Sequence, residues 1–98
     1  MTAKASISRK DNHLTVSGDL NFATVVHLWK SSTALMNSGS ATLYFDLSGV
    51  TSANSAGLAL LLEWLKYAKQ KNKSIEFDQI PEQLLSIAKV SGIAEMLR

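Results

Sequence analysis

Few side chains in this sequence are equipped for chemistry, and they converge on one stretch. Asn54 and Ser55 stand where the polar segment Val50-Thr51-Ser52-Ala53 gives way, with no proline or charge between, to the apolar run Leu58-Ala59-Leu60-Leu61-Leu62. Such a switch marks the start of a helix, whose first amide N–H groups lack intrahelical partners. A hydroxyl at Ser55 has two uses there: it caps the helix, or it is the point at which a partner or a phosphate docks. Elsewhere the chemistry thins out. His13 and His27 stand alone, with no Asp or Glu at ligand spacing and no cysteine in the chain, so no metal site is expected. No glycine pattern matches a phosphate-cradling loop. The nucleophile-elbow motif needs glycine two residues before its serine, where Ala53 stands. Neither an enzyme nor a cofactor is expected.

Composition narrows the classes further. Ninety-eight residues, 46% apolar and 18% charged, suit one globular domain spanning residues 1–98. A net charge of +2, with the ten Lys and Arg spread along the chain, gives no footprint for nucleic acid. No stretch approaches the roughly 20 apolar residues of a membrane span. Residues 1–6 lack the hydrophobic middle region of a secretory signal, so a cytoplasmic location is expected.

The elements that must position Ser55 follow from periodicity. Residues 5–9 and 14–17 read as two short strands around a Lys10-Asp11-Asn12 turn, with Gly18 ending the second. Phe22, Val25, Val26, Trp29 and Met36 recur at helical spacing over residues 22–36, with Asn21 as cap, Trp29 on the core stripe and Gly39 at the C-terminal end. Residues 42–47 are almost continuously apolar, as in a central strand covered on both faces, and Ser48-Gly49 opens the connection to Ser55. A second helix over residues 55–71 has its core stripe at Leu58, Leu61, Leu62, Leu65 and Ala68. Leu60, Trp64 and Tyr67 widen that stripe; they either pack on the neighbouring helix or form a partner-binding patch around Trp64. Lys66, Lys69, Lys71 and Lys73 read as a solvated helix end. A strand over 74–78, a helix over 81–89 begun by Pro81 and a short apolar closure over 93–97 complete the chain. The expected class is α/β: a mixed sheet of about four strands with helices packed on it.

Asp46-Leu47-Ser48-Gly49-Val50 followed by Asn54-Ser55-Ala56-Gly57-Leu58 resembles the signature of the STAS domain family, which includes anti-sigma factor antagonists and cytoplasmic domains of anion transporters. Gly18-Asp19-Leu20-Asn21 is similar to that family's Gly-Glu-Leu-Asp, and Val90-Ser91-Gly92-Ile93 to its Leu-Ser-Gly-Leu. In the phosphorylated branch a kinase modifies the serine matching Ser55. Here Asn54 replaces an aspartate, Ala56 a second hydroxyl residue and Asn21 another aspartate, which weighs against phosphorylation.

The helix start Gly57-Leu58-Ala59-Leu60-Leu61-Leu62 and the pair Leu28-Trp29 further resemble the small STAS subunits of Mla-type phospholipid-transport ABC complexes. That resemblance implies a subunit docked on the cytoplasmic ABC ATPase, peripheral to the inner membrane and serving outer-membrane lipid asymmetry. Asn54, Ser55, Ala56 and Gly57 are then expected at the centre of the partner-binding surface, with Ser52 and Asn21 beside them. The alternatives are an anti-sigma factor antagonist switched by its partner kinase at Ser55, and a structural domain in which Ser55 only caps.

Overall fold

Alternation along four strands decides which side of the sheet is covered. In a computed structural model, which describes residues 4–37 and 41–97, β1 (Ala5–Lys10), β2 (His13–Leu20), β3 (Thr42–Ala53) and β4 (Ser74–Asp78) lie in the order β1-β2-β3-β4. β1 and β2 form an antiparallel hairpin, turned at Asp11 with φ of 56°; β2, β3 and β4 run parallel. Leu14, Val16, Leu43, Phe45 and Leu47 are buried together with side chains from α1 (Val25–Met36), α2 (Ser55–Gln70) and α3 (Glu82–Val90). A closing 3-10 turn, Ala94–Leu97, adds Leu97 to the same core. The mixed four-stranded sheet with helices packed on it is the architecture expected from the sequence.

The other face of the sheet is polar. The Ser6 and Ser17 hydroxyls pair at 2.8 Å, those of Thr42 and Ser74 at 3.2 Å, and the His13 and Tyr44 rings stack 5.0 Å apart. This corrects the expectation that residues 42–47 are covered on both faces. Tyr44 alternates away from Leu43 and Phe45 and belongs to the polar side.

Two strands run further than their breakers imply. β2 continues through Gly18 to Leu20, and β3 continues through Ser48-Gly49 to Ala53. The register shifts twice, between Thr15 and Ser17 and between Gly18 and Asp19, so β3 absorbs extra residues while pairing persists. Gly18 takes φ of +92°, and a Cβ there would lie 2.0 Å from the Lys4 carbonyl oxygen. Within the first shift the Ser48 N–H donates to Asp46 Oδ1 at 2.9 Å, and this bond holds the Asp46 carboxyl below its ordinary range. In the second, the Thr51 hydroxyl donates to Asp19 Oδ1.

The first helix begins three residues later than its spacing implies. Asn21 Oδ1 accepts the Ala23 N–H at 2.9 Å in a tight turn instead of capping the helix. Thr24 directly precedes α1, but its hydroxyl donates back to the Asp19 carbonyl at 2.7 Å. Phe22 therefore stands outside the helix and is 76% exposed, with Val26 at 58%, although both fit the core spacing. Trp29 is half-buried, its ring edge against Tyr67 at 5.5 Å. The role expected of Gly39 falls on residues 38–40, outside the described residues.

α2 matches its expected span to within one residue. The wide apolar arc resolves in favour of internal packing: Trp64 is 0% exposed and Leu60 is buried. Trp64 Nε1 donates to Ser32 Oγ of α1 at 2.7 Å, and its ring lies 4.6 Å from that of Phe45. A patch centred on Trp64 is thereby excluded. α3 starts at Glu82, directly after Pro81, and buries Leu84 and Ala88.

Candidate functional site

Parallel pairing brings the carboxyl ends of β2 and β3 side by side, with Leu20 opposite Ala53. The chain leaves this point in two directions, through Asn21 into the turn before α1 and through Asn54 into α2. The Asn54 N–H donates to the Leu20 carbonyl at 3.1 Å, so Asn21 stands beside Asn54. From α3, Gln83 Oε1 accepts the Ala53 N–H at 2.9 Å and ties the end of β3 to that helix.

Asn54, not Ser55, is the cap of α2. Its backbone is extended (φ −121°), and its Oδ1 accepts the Ala56 N–H at 2.8 Å. Its carbonyl accepts the N–H of Gly57 at 2.9 Å and of Leu58 at 3.4 Å. Three of the first four helix amides are therefore already bonded. This corrects two expectations: Ser55 is not needed as a cap, and a phosphate on it would not meet a set of free N–H groups. The Ser55 side chain is exposed, and among the described residues its hydroxyl has no hydrogen-bond partner.

The expected site residues separate by burial. Ser52, Asn54 and Ser55 are exposed, and Asn21 is half-buried. Ala56 is 4% exposed and contributes to the floor of a groove, whereas Gly57 faces inward. A Cβ on Gly57 would lie 2.9 Å from the Leu20 Cβ and 3.3 Å from both Ala53 Cβ and Leu84 Cδ2. Gly57, expected at the centre of the docking surface, instead lets α2 approach β2 and α3 closely.

The groove itself was not foreseen. It occupies about 330 Å³ between the N-terminal halves of α1 and α2, walled by Phe22, Val26 and Trp29 on one side and Ala59 and Glu63 on the other. Its signal in the sequence was Asn21, whose side chain closes a turn before α1 and leaves Phe22 outside the helix. Asp19, Thr51 and Gln83 were also unmarked; they hold the strand ends from which Asn54 departs. Among the described residues no group of three His, Asp or Glu is placed to hold a metal, and no helix is long and apolar enough to cross a membrane.

Residues 3–98 match a family model described as "Mlab, STAS domain". The chain belongs to the STAS domain family. Among curated proteins, a STAS relative is the intermembrane phospholipid transport system binding protein MlaB of Haemophilus influenzae, 24% identical over 83 residues, covering 82% of this chain and 79% of that protein. The same STAS fold is seen in the unphosphorylated anti-sigma factor antagonist SpoIIAA, with a TM-score of 0.70 and 15% identity over 93% of this chain and 83% of that one. It also occurs in SLC26A9, with a TM-score of 0.73 and 16% identity; 86% of this chain is covered, but only 16% of SLC26A9.

Proposed function

We propose that this STAS domain is a non-catalytic accessory subunit that binds and supports the cytoplasmic ATPase of a Mla-type ABC phospholipid transporter, and so serves outer-membrane lipid asymmetry. It works in the cytoplasm and reaches the inner membrane through that partner. The observation that carries this is the exposed, unpartnered Ser55 hydroxyl on a helix start already closed by Asn54. No charged residue stands between Asp46 and Glu63 in the chain, so Ser52, Asn54 and Ser55 offer small uncharged side chains to a partner, with the Asp19 carboxylate beside Ser52 in the ladder and bonded by the Thr51 hydroxyl. The similarity to MlaB supports the choice of a phospholipid system.

A second reading, an anti-sigma factor antagonist switched by phosphorylation of Ser55, is favoured by the likeness to SpoIIAA. It fits the local chemistry less well. A phosphoserine carries close to two negative charges and would have to compete with Asn54 for the amides it needs. Affinity purification from native membranes, with identification of the bound proteins, separates the two. An ABC ATPase with its permease is the expected catch. A small histidine-kinase-like ATPase, together with the mass increment of one phosphate on the isolated chain, would establish the second reading instead.

A further inference from the structure

The net charge of +2 conceals a polarity that runs along the strands. Two turns flank the start of β3. The Asn12 carbonyl of the β1–β2 turn accepts the Tyr44 N–H at 2.9 Å, and Asn12 Nδ2 donates to the Thr42 carbonyl at 3.4 Å. On the other side the Ser74 N–H donates to the Ala41 carbonyl at 2.9 Å, which sets the turn after α2 beside the same strand end. That turn is tight: Asn72 takes φ of 57°, and the Lys73 N–H donates to the Ala68 carbonyl at 2.8 Å. Among the described residues, the end so formed carries Arg9, Lys10, Lys66, Lys69, Lys71 and Lys73 against Asp11. No acid occurs in the chain between Glu63 and Glu76. The opposite end carries Asp19, Asp78 and Glu82 against Lys4. We propose that the lysine-bearing end lies on a bilayer surface of anionic phospholipid headgroups, with Lys10, Lys69 and Lys71 as its main contacts. The contact does not depend on which partner occupies the Ser55 end.

Spread, chemistry and shape select that occupant. Lys10 ends the edge strand β1 and Lys71 shortly precedes the opposite edge strand β4, so exposed ammonium groups span the width of the sheet, about 14 Å. Such a spread meets several headgroups in one plane rather than a single phosphate. The cations are also compact point charges. The one guanidinium among them, that of Arg9, is taken by the carbonyls of Asp11 and, at 2.9 Å, Leu35. No planar fork remains for paired hydrogen bonds to the phosphates or base edges of a nucleic acid. Nor do the neighbouring aromatic rings offer a stacking platform. Tyr67 packs on Trp29, lies 5.6 Å from Lys71 Nζ and donates its hydroxyl to Asn37, while His13 and Tyr44 stack on each other. The clefts beside Phe22 and beside Lys4 lie toward the opposite end, so no channel for a strand accompanies the lysines.

Flotation of the purified chain with vesicles, at about 0.1 M salt, tests this. One set of vesicles is phosphatidylcholine alone, and the other is phosphatidylcholine with phosphatidylglycerol in a three-to-one mixture. The chain is expected to float with the mixed vesicles only. Lys69→Gln combined with Lys71→Gln is expected to lower the partition coefficient about tenfold, whereas Lys69→Arg with Lys71→Arg keeps it. Both side chains are exposed, so neither pair disturbs the core. Lys4→Gln with Lys30→Gln removes the same charge from elsewhere and is expected to leave the partition within about twofold. An equal loss in the two glutamine pairs would make net charge the cause and overturn the assignment of this end. Flotation with phosphatidylcholine alone, or with neither vesicle, overturns the lipid contact. So does tighter binding of a labelled oligonucleotide than of the mixed vesicles at the same salt.

Discussion

The Asn54 amide oxygen meets the Ala56 N–H at 2.8 Å, and nothing else in the first turn of α2 is placed to replace it. Asn54→Ala should therefore cost about 1 kcal/mol, whereas Ser55→Ala should change stability by less than about 0.5 kcal/mol. Urea midpoints at constant slope would check both, and Asn54→Asp should retain most of the cap. Asp46 gives a pH-dependent counterpart. Its carboxyl is held below the ordinary range by the Ser48 N–H, so its contribution is present above that range and is lost as pH falls through the lower folded value. Asp46→Asn should flatten the fall in stability in the acid region, measured by urea titrations from neutral to acidic pH. At this scale the start of α2 was legible, because the switch from polar to apolar residues marks a helix start. Which residue caps was not, because Asn and Ser cap equally well and the choice depends on where the Leu20 carbonyl holds the incoming chain.

At the scale of elements, α2 is fixed from two sides. Trp64 bonds Ser32 of α1, and that hydroxyl in turn donates to the Trp29 carbonyl at 2.8 Å. Trp64→Phe should keep most of the packing but lose the indole donor, at a cost of about 1–2 kcal/mol in chemical denaturation. On the other side Gly57 sits against Leu20 and Leu84, so Gly57→Val should push α2 outward and destabilise by about 2–3 kcal/mol, read as a lower thermal midpoint. α2, β4 and the opening hairpin were legible because their periodicity has one solution. The start of α1 was not: Phe22 and Val26 satisfy helical spacing as well as any core pair, yet Phe22 lies in the Asn21 turn and Val26 on an exposed side of α1. The lengths of β2 and β3 were hidden too, since Gly18 and Ser48-Gly49 read as breakers when they are in fact bulge residues inside a continuing ladder.

For the molecule as a whole, parallel pairing of β2 and β3 gathers at one end Asn21, Ser52, Asn54 and Ser55, which lie far apart or on different elements in sequence. The opposite end of α2 carries the lysines, and the groove has Glu63 as its one charged side chain. Under the proposed function such a domain meets its partner through strand ends and helix starts while its core stays undisturbed. Stability and partner binding should therefore separate. The most direct measurement is a titration of the purified Mla-type ATPase with the wild-type chain and with Ser55→Arg, alongside urea unfolding of both. Ser55→Arg is expected to unfold within about 0.5 kcal/mol of wild type and to bind at least about thirtyfold more weakly. Equal affinity for the two chains would contradict the assignment of Ser55 as the docking point.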